Sequence, residues 1–101
     1  MDSHTALFTR AEQAMTTGKE VVDLLYGSKN IADDQRKALS QRVSMAVERI
    51  ALSGRLAAES YSRGESDEFE RALSIMREHL TLADSFFLQI TTRLTGGALN
   101  A

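Results

Sequence analysis

The stretch from Phe69 to Leu94 constrains the fold more than any other part of the chain. Phe69, Leu73, Met76, Leu80, Ala83, Phe87, Ile90 and Leu94 follow one another at spacings of 4, 3, 4, 3, 4, 3 and 4. Alternating threes and fours keep side chains on one face of an α-helix, because a turn takes about 3.6 residues. No Gly or Pro interrupts the run. At about 1.5 Å per residue such a helix spans roughly 40 Å. That length suits a long helical hairpin or bundle.

With 101 residues the chain is expected to form a single helical domain over 1–101, with 96–101 as a frayed, flexible tail. A chain this short buries only about 60–65% of its unfolded surface, so its core is thin and dimerisation would help it. Proline is absent, which permits long, unkinked helices. Two further helical patterns precede the seam. The first helix is expected over 3–26, capped by Asp2 or Ser3. Its stripe is Phe8, Ala11, Met15, Gly18, Val22 and Leu25, widened by Leu7, Ala14 and Val21. The small residues Ala11, Ala14 and Gly18 at its middle invite close approach by another backbone. Gly27 is placed to stop it. The polar SKNIADD segment that follows offers Asn30 or Asp33 as the next cap.

The second helix is expected over 34–62. Its main stripe is Leu39, Val43, Ala46, Ile50, Gly54, Ala57 and Tyr61. Gly64, able to adopt the left-handed conformation, ends it. Ser66, or Asp67 with Glu70, is expected to cap the third helix over 67–95. So short a link forces helices two and three into an antiparallel hairpin. The fold class is all-α, three helices, with self-association as a dimer expected.

Both long helices carry apolar residues beyond their main stripes. On helix two these are Ala38, Met45, Leu52 and Leu56, roughly 100–140° around the wheel at about 100° per residue. On helix three they are Ile75, Leu82 and Phe86, with His79 beside them. Either they fill a broad three-helix core or they form an interface. Met45, Leu52, Leu56, Ile75, Leu82 and Phe86 are therefore the candidate protein-binding or dimer residues.

No reactive constellation competes with that reading. Cysteine is absent, so thiolate catalysis, disulfides and Cys-ligated zinc are excluded. The only histidines are His4 and His79, and His79 has Ile75 and Ala83, which are not ligands, at its helical neighbour positions, so no metal is expected. Asp33-Asp34 and Asp67-Glu68 fall at helix starts, where capping and the helix dipole account for them. No nucleophile elbow or phosphate-cradling loop is present. Twelve basic against 14 acidic residues give a net charge of −2, which argues against a nucleic-acid binder. Arg36, Lys37, Arg42, Arg49, Arg55 and Arg63 do not share one face of helix two. They read as a solvated, mixed-charge surface in which Glu59 pairs with Arg63. No apolar run approaches the roughly 18 residues that span a membrane. No secretory leader is visible, and a cytoplasmic location is expected. The expectation is a non-enzymatic protein with no cofactor and no small-molecule substrate, whose partner is another protein: an apolar helix face laid against a partner is a common recognition mode.

The whole chain, from its MDSHTALFTRAEQAM opening to LTLADSFFLQITTRL near its end, resembles the small all-helical bacterial antiactivators of quorum sensing. The resemblance implies an antiactivator that sequesters a LuxR-type (LasR-like) transcription factor and blocks its dimerisation and DNA binding. Two other readings fit a small acidic helical chain. One is a type III or flagellar secretion chaperone that masks an export substrate's amphipathic helix. The other is a purely structural helical oligomer.

The seam makes a direct prediction. Leu80→Asp should unfold the hairpin, because a buried unpaired carboxylate costs several kcal/mol against a total stability of about 5–15 kcal/mol. Circular dichroism checks this, and an unchanged melting curve would overturn the seam.

Overall fold

The computed structural model describes residues 3–99 and contains three helices in that range: α1 (Ser3–Gly27), α2 (Asp33–Ser62) and α3 (Ser66–Leu99). They run up, down and up. The His4 ring meets Phe69 edge-on, with centroids 5.0 Å apart, near the start of both α1 and α3. Gly18, two turns before the end of α1, lies against Phe87 well along α3. α1 and α3 are therefore parallel, and α2 is antiparallel to both. The Cα trace fills a slab of 53 × 27 × 16 Å. α2 and α3 pack together most extensively, as a hairpin.

The α3 seam is the centre of the core. Phe69, Leu73, Met76, Leu80, Ala83, Phe87 and Ile90 are all buried, and Leu94 packs partly against them. α1 contributes Leu7, Ala11, Ala14, Val21 and Leu25; α2 contributes Val43, Ile50 and Ala57. On α1 the expected widening residues Leu7, Ala14 and Val21 are buried together with Ala11 and Leu25 of the main stripe, while Phe8, Met15 and Val22 flank them half-buried. Ser40, Ser53 and Ser60 are also buried on α2, where small side chains let helices approach. The Ser53 hydroxyl donates to the Ile50 carbonyl at 2.8 Å.

Close approach at Gly18 is real. A Cβ built there would sit 2.5 Å from Val47 Cγ2 and 3.3 Å from Phe87 Cζ. Both neighbours are held by the core, and Val47 is β-branched and stiff at χ1. Gly54, also helical, has only ordinary contacts at 3.9 Å.

The helix ends differ from expectation in instructive ways. Gly64 does end α2 in the left-handed conformation, with φ 72°. Its N–H donates to Tyr61 O at 3.1 Å, and Glu65 N–H donates to Ser60 O at 2.9 Å. This pair of bonds satisfies two carbonyls that the helix leaves unpartnered. Gly27 ends α1 without a positive φ. There the work falls to Arg36, whose guanidinium donates to Leu25 O at 2.9 Å, Ser28 O at 2.6 Å and Ile31 O at 3.2 Å, and pairs with Asp33 at 2.5 Å. Arg36 is thus a clamp on the first connection, not a solvated base. Ala32 occupies the cap position of α2 and makes no side-chain cap bond, so neither Asn30 nor Asp33 serves there. Asp33 and Asp34 instead lie in the first turn. Ser66 is already helical, and Glu65 before it pairs with Arg63 in place of the expected Glu59. Asp2, named as a cap, lies outside the described residues. α3 continues to Leu99, through most of the segment expected to fray; 100–101 lie outside the described residues.

Gly54→Ala should raise stability by up to about 1 kcal/mol, because Ala favours helix and meets no clash. Gly18→Ala should lower it despite the same propensity gain. A shift of about 4–8 °C per kcal/mol makes opposite movements of Tm readable in one thermal scan each. Arg36→Met keeps the aliphatic stem and removes the charged donors. It should cost about 2 kcal/mol, since hydrogen bonds from a charged donor contribute about 1.5–3 kcal/mol. A Tm equal to wild type would remove Arg36 from the account of the first connection.

Candidate protein-docking face

The α2–α3 hairpin has two sides, and α1 covers one of them. Val47 on α2 faces α1 beside Gly18. Met45 precedes it by two residues, about 200° away on the wheel. Asp84 on α3 reaches α1 through Arg10 at 2.9 Å. Leu82 again precedes it by two residues and turns the other way. The second stripes of both helices therefore share the side that α1 leaves open.

Five of the six candidate residues lie exposed there. Met45, Leu52, Leu56, Ile75 and Leu82 retain between 38% and 67% of their surface. They are therefore not core. Phe86 departs from expectation: it is half-buried, packs partly on the core, and carries the Arg42 guanidinium 4.5 Å above its ring centroid. A cation over an aromatic face is attracted by the ring quadrupole.

Met45, Leu82 and Phe86 line one groove between α2 and α3, with a volume of about 420 Å³ and with Arg42, Arg49 and His79 on its walls. Across the hairpin Arg42 is level with Phe86, and from the same register Leu52 is level with Ile75. The exposed apolar surface thus continues from the groove toward the Gly64 turn. In the other direction Arg42, Phe86 and Gln89 also border a larger hollow of about 1010 Å³. That hollow lies at the open end of the bundle, between the first connection and the last turns of α3. Leu25, Ile31, Leu39, Ile90 and Leu94 give it apolar walls, and Arg93 stands at its edge. Among the described residues no Asp or Glu lines either space.

Sequence reasoning missed other exposed apolar residues. Leu24 and Leu88 lie off every stripe identified on their helices, a departure the wheel itself displays. Tyr61 was expected within the main α2 stripe and is 72% exposed. It sits in the last turn, where its ring tilts against Phe69 at 5.3 Å and its hydroxyl end can stay in water. Among the described residues no three of His, Cys, Asp or Glu gather as a metal site would require. Among the described residues no helix is long and apolar enough to cross a membrane. Comparison with protein-family models, curated proteins and solved structures yields no match to this chain.

Proposed function

We propose that this chain is a non-enzymatic protein-binding regulator: an antiactivator that lays the open side of its α2–α3 hairpin against a LuxR-type transcription factor and prevents that factor from dimerising and binding DNA. The observation that carries the protein-binding part is the alignment of Met45, Leu52, Leu56, Ile75 and Leu82 on one exposed side. Single exposed apolar residues are ordinary, but a contiguous set along two adjacent helices marks an interaction surface. Burying the remaining exposed part of each such side chain stabilises a complex at about 25 cal/mol per Å². Met45 adds shape adaptability, which suits recognition of a foreign surface. The resemblance of the whole chain to quorum-sensing antiactivators supports the choice of partner.

Leu52→Glu/Leu56→Glu tests both parts. Both side chains are about half exposed, at 46% and 52%, so helicity and Tm should stay near wild type. Affinity for the ligand-binding domain of a LuxR-type factor, measured by calorimetry, should fall about 30-fold or more, as for residues worth at least about 2 kcal/mol in an interface. A mobility-shift assay should show wild type, and not the double variant, displacing the factor from its operator. If wild type binds a secretion substrate and not the transcription factor, the chaperone reading replaces the antiactivator one. A double variant that unfolds would return Leu52 and Leu56 to the core.

A further inference from the structure

We infer that the α2–α3 groove receives an acidic amphipathic helix of the partner protein, whose apolar stripe covers Met45, Leu82 and Phe86 and whose carboxylates meet Arg42, Arg49 and Arg93. The inference rests on the reading of this side as a docking face and adds the chemistry of what docks.

Three observations carry it. The first is charge. The chain as a whole is acidic, with 14 acidic and 12 basic residues. Among the described residues the groove and the hollow that adjoins it nevertheless hold three arginines and a histidine with no Asp or Glu. Glu48 and Glu78, next in sequence to Arg49 and His79, fall outside both linings. The second is pairing. Arg10, Arg36, Arg63 and Arg71 each lie within ion-pair distance of an Asp or Glu. Among the described residues Arg42, Arg49 and Arg93 have no such carboxylate; Arg55 and Arg77 have none either, but only the first three border the groove or the hollow, and Arg42 lies on Phe86. The cations are held beside apolar surface without a counter-charge, and an incoming carboxylate would supply one.

The third observation is shape. Met45, Leu52 and Leu56 are spaced 7 and 4 along α2, and Ile75, Leu82 and Phe86 are spaced 7 and 4 along α3. Each set forms a ridge about three turns long, and the groove lies between the Met45 end of one and the Leu82–Phe86 end of the other. A third helix laid in that furrow meets apolar side chains on both sides, as ridges-into-grooves packing requires. A second copy of the chain fits less well. A two-fold contact through this groove would set Arg42 and Arg49 of one copy against the same acid-free surface of the other, where like charges repel. A lipid surface is flat and would leave the floor of the groove uncovered.

The test uses the full chain and two fluorescein-labelled, helix-favouring peptides of about 14 residues, roughly four turns. Both carry one Leu stripe; one has Glu on its flanks and the other has Lys. Fluorescence anisotropy should show the Glu peptide binding at least tenfold more tightly than the Lys peptide, with affinity falling as salt rises. Arg42→Glu/Arg49→Glu should reverse that preference, and Arg49→Glu alone, which leaves the Arg42–Phe86 contact in place, should narrow it. Equal binding of the two peptides, or binding of neither at millimolar concentration, overturns the inference. So does a wild type that ignores both peptides yet sediments with vesicles of phosphatidylglycerol and phosphatidylcholine, or one that dimerises through the groove and loses the dimer in the double Glu variant. The two layers of the proposal separate against the transcription factor itself. If Leu52→Glu/Leu56→Glu abolishes its binding while Arg42→Glu/Arg49→Glu does not, the docking face stands and the acidic helix falls. If neither variant weakens it, the docking face itself falls.

Discussion

Burial of the α3 seam between α1 and α2 is the contact on which the rest of the molecule depends. Seven seam residues from Phe69 to Ile90 are buried, and three of them, Leu73, Met76 and Leu80, are sealed completely. A helix can be buried from two directions only if its neighbours come close to each other as well as to it. The glycine at position 18 lets them do so, by bringing α1 within reach of both Val47 on α2 and Phe87 on α3. That point ties the three helices together. It also commits α1 to one side of the hairpin, and this commitment leaves the other side open.

Helical periodicity survives folding well because burial is what selects it. The α3 seam, the Gly64 reversal and the two outer stripes were all legible in the spacing of residues, since each depends on neighbours along one helix or on backbone conformation at one glycine. What was not legible depends on partners distant in sequence or on choices among local alternatives. Arg36 carries no mark that separates it from Arg42 or Arg49, yet it turns back to three carbonyls of the preceding turn and connection. Asn30 and Asp33 are better cap formers than Ala32, but Asp33 is drawn to Arg36 and the helix begins one residue after Ala32. Ser40, Ser53 and Ser60 look solvent-facing by type and are buried by position. Phe86 was expected outside the core and lies half within it, because a large ring on the border of two faces can serve both.

The open side differs from an incomplete core in its chemistry. A core surface exposed for want of a fourth helix would be apolar across its width. Here Met45, Leu82, Ala46 and Ala83 lie beside arginines that have no counter-charge among the described residues, and the Phe86 ring is capped by the Arg42 guanidinium. Such a surface holds water acceptably when empty. Arginine is weakly hydrated and stacks on rings, so it screens the apolar floor without sealing it. It also offers directional donors to whatever replaces the water.

The chain's own connections hold α1 away from that side. The first connection spans 28–32, and Ser28 and Ile31 within it are held by Arg36. The second, Arg63–Glu65, is a tight reversal. Neither has slack to swing a helix across. α1 is meanwhile engaged on the far side at Gly18 and through Arg10 and Asp84. Moving it to the open side would expose Leu7, Val21 and Leu25 and break the seam it shares with α3. The energetic asymmetry is large: about 1.5–3 kcal/mol for each such side chain returned to water. The same packing that closes one face of the hairpin therefore holds the other face available, and available in a fixed shape. A partner that fits it meets a preorganised site and loses little to ordering this chain, which is the condition under which a small interface can still bind tightly.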